Sequence, residues 1–151
     1  MTTTATESIV TNKQLGESPA GCDCTFVKMG GAGLKVYEGE EGREERDEQF
    51  RLQQLFHKIG LAPEAWFCFD FTGPNGEDMF AYYSEIVQNT NDENANWIDY
   101  DRAANKLRRT LECEHGIIWT DNHSGNVGRR TDGTFVIIDF GYMRLSNCLD
   151  Y

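Results

Sequence analysis

Three polar side chains in the last third of the chain have the types and spacing to do chemistry: Asp121, Asn126 and Asp139. Asp132-Gly133 lies between two apolar-containing stretches, which predicts a two-residue type I′ hairpin turn. That turn pairs Thr131 with Thr134 and Arg130 with Phe135, and the count carried outward sets Asn126 opposite Asp139. Facing residues project to one side of a sheet with Cβ atoms about 5 Å apart. An amide oxygen and a carboxylate so placed suit one hard divalent cation, and Mg²⁺ commonly takes few protein ligands beside phosphate oxygens. The alternative is local, with Asn126 capping a turn and Asp139 bonding nearby backbone. Asp139 ends the apolar run Phe135-Val136-Ile137-Ile138, where a carboxylate needs a partner. Asp121, in a loop of small polar residues, reads on its own equally well as a solvated turn residue.

The elements that must position these groups come earlier. Glu45, Glu48, Leu52, Leu55 and Ile59 recur at three- and four-residue steps, the spacing of one helical face, and Gly60 and Pro63 stop the helix. Glu40, Glu41, Glu44, Glu45 and Glu48 crowd its start, where the helix dipole favours anions. Glu48 also falls on the apolar stripe, so it needs a cation. Ala65–Phe71 and Met79–Tyr83 read as aromatic-rich strands joined through Asn75-Gly76. A second helix carries Trp97, Tyr100, Ala104, Leu107 and Leu111 on one face as core. The polar loop Asn89–Asn94 is the best boundary between two halves.

Asp121-x-x-x-x-Asn126 followed by Asp139-Phe140-Gly141 resembles the protein-kinase-like superfamily. The loop Asp121-Asn122-His123-Ser124-Gly125-Asn126 is similar to the D-x-H-x-x-N loop of aminoglycoside and choline phosphotransferases. Gly33-Leu34-Lys35-Val36-Tyr37 resembles the small-lobe strand whose Lys binds phosphates. The resemblance implies an α+β, minimal two-lobed protein-kinase-like fold. Residues 1–11 would be a flexible tail, and 12–88 an N-lobe with a small antiparallel sheet and one helix. Residues 89–151 would form a reduced C-lobe with the catalytic hairpin.

It also implies roles. Lys35 holds the α- and β-phosphates of ATP, and Glu48 pairs with Lys35, with Glu45 the alternative partner. Gly16 and Gly21 stand in the Gly-rich loop, while Glu85 and Ile86 belong to the hinge whose backbone meets adenine. Asn126 and Asp139 hold Mg²⁺, Asp121 orients the attacking hydroxyl and accepts its proton, and His123 orients the loop. The implied activity is ATP- and Mg²⁺-dependent phosphoryl transfer to a hydroxyl of a protein or small molecule. Only the outer glycines of the Gly-rich loop remain, and ten residues follow Gly141, too few for the family's substrate-binding helices. The alternative is therefore a pseudokinase-like module that engages or inhibits a host protein without catalysis. Short chains of this kind resemble bacteriophage reading frames.

Composition bounds the partners. In 151 residues, 14 Lys and Arg stand against 25 Asp and Glu, a net charge of −11. That balance argues against nucleic acid and against anionic lipid. No apolar run approaches the roughly 20 residues of a membrane span, and the N-terminus lacks a secretory pattern, so a cytoplasmic location is expected. Five cysteines, none in C-x-x-C spacing, read as free thiols. The expected partners are ATP and an unidentified phosphate acceptor or protein, with a homo-oligomer one way to support the reduced lobe.

Overall fold

A computed structural model describes residues 24–92, 94–140 and 143–145. The chain is α+β. Strands β1 (Cys24–Met29) and β2 (Ala32–Glu38) lead into helix α1 (Gly42–Lys58), then β3 (Ala65–Thr72) and β4 (Asp78–Ser84). Helix α2 (Trp97–His115) follows, then β5 (Ile117–Trp119), a single 3₁₀ turn at Ser124–Asn126, β6 (Val127–Arg129), β7 (Phe135–Ile137) and β8 (Met143–Leu145). The first four strands form an antiparallel sheet in the order β1-β2-β4-β3, while β5 pairs with β8 and β6 with β7.

Helix α1 ends where its sequence says it should, with Ile59 as the cap residue and the Leu61 amide returning to Phe56 O at 2.8 Å. Its buried face differs from the expected stripe. Gly42, Arg46, Gln49, Leu52, Gln53 and Phe56 point inward. Three of these side chains are polar, so counting apolar residues alone turns the helix toward Glu45 and Glu48. Arg46 is 5% exposed and donates to Asp70 at 2.9 Å, Asp47 at 2.7 Å and the Phe69 carbonyl at 2.9 Å. Those acceptors are what let a guanidinium sit between helix and sheet.

Helix α2 begins with the Asn96 side chain accepting from the Ile98 amide at 3.1 Å, a local N-cap. Its inner face is Tyr100, Ala103, Ala104, Leu107, Leu111 and His115. Trp97, expected in this core, is instead 65% exposed, because the first turn overhangs the packed stretch that starts at Tyr100. The largest core joins Leu52 and Phe56 of α1 to Tyr100, Leu107 and Leu111 of α2, and to Trp119, Ile137, Phe140 and Met143. It therefore crosses the 88/89 division suggested by the sequence. Among the described residues no helix is long and apolar enough to cross a membrane.

Candidate active site

The β6–β7 hairpin corrects the expected register. Val127 faces Ile137, Gly128 faces Val136 and Arg129 faces Phe135. The Arg130 amide donates to Thr134 O at 2.8 Å, and the Gly133 amide to Arg130 O at 2.9 Å. The loop is thus three residues, Thr131-Asp132-Gly133, with Gly133 at φ +91°. A left-handed third residue is where glycine is needed in such a loop. Asp132 Oδ1 accepts from the Thr134 amide at 2.9 Å, which holds the wider turn. The pairing shifts by one residue, so Ile138, not Asp139, stands opposite Asn126, and the Ile138 amide donates to Asn126 O at 2.9 Å.

A one-residue slip would send Asn126 and Asp139 to opposite faces of a continued ladder. The ladder does not continue. Asn126 ends a 3₁₀ turn and β7 stops at Ile137, so both side chains line one cavity of about 220 Å³. Lys35, Gln49, Ser84, Glu85 and Asn89 are among its other polar lining residues.

Lys35 is 9% exposed. Its Nζ donates to Gln53 Oε1 at 3.1 Å and to the Ile138 carbonyl at 3.0 Å, tying β2 to the segment that carries Asp139. Burial pushes this ammonium below the ordinary lysine range, and the nearby Asp139 carboxylate is among the charges opposing that shift. Phe140 lies beneath, stacked on Phe56 with ring centroids 5.5 Å apart and its own centroid 5.8 Å from Nζ.

Gln53 is the hub of this network. It is fully buried, and its Oε1 also accepts from Tyr82 Oη at 2.8 Å. Its Nε2 donates to Ser84 Oγ at 2.7 Å and to the Pro63 carbonyl at 3.1 Å. The expected Lys35–Glu48 pair is not formed, and Glu45 is not bonded to Lys35 either. Glu48 Oε1 lies 4.0 Å from Arg51 Nη2 on the flank of α1. At 100° per residue, Gln53 is rotated well around the axis from Glu48, and Gln53 is the one that meets β2.

The second cluster is the loop after β5. Asn126 is 7% exposed, and its Nδ2 donates to Asp121 O at 2.8 Å and Asp121 Oδ2 at 2.9 Å. The Gly125 amide donates to His123 Nδ1 at 3.1 Å, and His123 Nε2 lies 3.2 Å from Asn126 Nδ2 and 3.4 Å from Asp121 Oδ1. The Asp121 carboxylate thus accepts from Asn126, has the His123 ring beside it, and remains 37% exposed. Asp121 does not itself line the cavity; Asn126 belongs to both groups.

The expected hinge residues divide. Glu85 lines the cavity, with Oε1 accepting from the Glu64 amide at 3.0 Å and Oε2 from Arg130 Nε at 2.8 Å. Ile86 lines a separate surface depression with Gln88 and Arg129. Gly16 and Gly21 lie outside the described residues. Sequence reasoning missed Gln53 and Gln49, whose signal was four-residue spacing on a helix (Gln49, Gln53) beside a strand Lys. It also missed Gly128, where a Cβ would run into Val87 and Ile138 on the cavity wall. Compared with protein-family models and with curated proteins, the chain matches none.

Proposed function

We propose that the chain is a minimal kinase-like phosphotransferase that binds ATP with Mg²⁺ over Lys35 and transfers the γ-phosphoryl group to a hydroxyl. One observation carries this reading: a buried ammonium, whose hydrogen bonds among the described residues go to the neutral Gln53 and Ile138 oxygens, shares a cavity with Asp139 and Asn126. A buried cation whose hydrogen bonds go to neutral oxygens, with Asp139 beside it, can still take an anion, and phosphate oxygens fit it.

The donor set fits Mg²⁺. Asp139 and Asn126 offer hard oxygens to one cavity, and among the described residues no group of three or more His, Cys, Asp or Glu could hold a metal by itself. Such a two-residue set suits a cation that completes its shell with phosphate and water. Bound there, Mg²⁺ would offset phosphate charge.

The chain's own residues would do the rest. Gln53 and the Ile138 carbonyl aim Lys35 at the phosphates. Asn126 and His123 hold the Asp121 carboxylate, which orients the acceptor hydroxyl and takes its proton as the new P–O bond forms and the bond to ADP breaks. Phosphoryl transfer draws chiefly on positioning and electrostatics, so this set is chemically sufficient.

The neutral Gln53, where the resemblance implies an acid, favours a second reading: nucleotide binding without catalysis, in a module that engages a protein. Calorimetric titration with ATP, with and without Mg²⁺, tests the first. Mg²⁺-dependent binding that Asp139→Ala weakens supports the nucleotide site, and no binding at millimolar ATP overturns it. Biological effect that survives Asp121→Ala, with ATP still bound, supports the second.

A further inference from the structure

Away from the cavity, the cations of α2 are gathered on one stretch of the helix. The chain carries −11 overall, yet Arg102, Lys106, Arg108 and Arg109 place four of its 14 cations within two helical turns, with no acid among them. Arg108 is engaged by Glu112 at 3.5 Å. Arg102, Lys106 and Arg109 are exposed, and none forms an ion pair with a described residue.

A cationic helix face by itself is ordinary solvated surface. Here it borders a groove of about 500 Å³. Leu61, Ala103, Leu107 and Phe135 make an apolar floor, Arg102 and Lys106 stand on the rim, and Asp99 marks one end. Arg109 extends the cationic strip one turn beyond.

We propose that this groove docks an acidic, amphipathic peptide segment of a protein partner. Apolar anchors would fill the floor while carboxylates meet the rim, so the groove's two chemistries are each matched. The cations from residue 102 to 109 span about 10 Å at 1.5 Å per residue, which calls for several carboxylates rather than the single one of a fatty acid. A nucleic acid supplies the charge without the apolar anchors and meets the repulsion of the remaining surface. A second copy supplies Glu40, Glu41 and Glu44, but residues 40–48 carry no apolar side chain that could anchor on the floor. The inference does not depend on nucleotide binding.

The probe is a fluorescein-labelled synthetic 16-residue helix of Glu and Leu with all leucines on one face, followed by fluorescence anisotropy on the full chain. The controls are a scrambled peptide of the same composition and a 16-nucleotide oligothymidylate. Saturable peptide binding should weaken at least about tenfold in Arg102→Glu/Lys106→Glu and severalfold between about 50 and 300 mM salt. Both positions are exposed, so circular dichroism and the melting temperature should stay as in the parent. Arg109→Ala should weaken binding less. Unchanged affinity in the double variant overturns the proposal. So does equal binding of the scrambled peptide, tighter binding of the oligonucleotide, or no binding at about 1 mM peptide, an affinity of only about −4 kcal/mol.

Discussion

Lys35 Nζ sits 3.1 Å from Gln53 Oε1, an ammonium held by a neutral amide in the interior. The same oxygen accepts from Tyr82 Oη at 2.8 Å, so two donors from neighbouring strands converge on one helical side chain. The amide therefore fixes where the charge sits without neutralising it.

Gln53→Leu should be among the most damaging single changes. It strips partners from Lys35, Tyr82 and Ser84 at once, and leaving buried polar groups unpaired costs about 1–3 kcal/mol each before relaxation. A loss of roughly 2–4 kcal/mol is expected in urea unfolding. A change below about 0.5 kcal/mol would mean that water replaces the amide freely.

Gly128→Val should close the cavity while the hairpin still forms. The new side chain would press on Val87 and Ile138, both cavity residues. Overpacking of this kind costs about 1–3 kcal/mol, and ATP titration should show loss of binding in protein that remains folded by circular dichroism.

Asn126→Asp places a carboxylate against Asp121, whose Oδ2 now accepts from the Asn126 amide at 2.9 Å. Like charges at that distance should lower the melting temperature without divalent cation. Mg²⁺ should then raise it more than in the parent, since a ligand at 100 times its Kd stabilises the folded state by about 2.7 kcal/mol. Equal Mg²⁺ response in both proteins would count against a cation at this position.

His115 should set the stability of the chain in mild acid. The ring is 5% exposed, its Nδ1 has no hydrogen-bond partner among the described residues, and burial pushes its pKa below the ordinary 6.5. The folded state thus resists protonation that the unfolded state accepts. Stability is full above pH 6.5 and declines as pH falls through that value toward the lower folded pKa, at up to about 1.4 kcal/mol per pH unit for one proton. Urea midpoints at pH 7 and 5 should differ, and His115→Leu should flatten the difference. Asp92 and Asp132, held low chiefly by backbone hydrogen bonds, act in a lower window, below their ordinary 3.8.

Strand and helix limits were largely legible, because punctuation such as Gly60 and alternation such as Met79–Tyr83 answer to local sterics. Hairpin register was not. Asp132-Gly133 and Asn75-Gly76 both look like two-residue turns, yet each glycine closes a three-residue loop: the Gly133 amide returns to Arg130 O and the Gly76 amide to Gly73 O. The same dipeptide serves both loops, and only packing of the flanking strands decides. The buried face of α1 was misjudged for a related reason. Arg46, Gln49 and Gln53 are buried because the sheet offers them acceptors and donors, information that no single helix contains. Lys35, Asn126 and Asp139 still line one cavity despite the slip, because Asn126 ends a 3₁₀ turn and β7 stops before Asp139.

The shared core of α1 and α2 decides how anything reaches the cavity. With Leu52 and Phe56 packed among Leu107, Leu111 and Phe140, the two halves cannot swing apart without breaking those contacts. Among the described strands β1 pairs with β2 alone, and all six of its residues are exposed. Opening over the cavity by way of β1 would then mean unzipping this ladder, a local unfolding on the microsecond-to-second scale. The shared core would stay closed throughout such an opening.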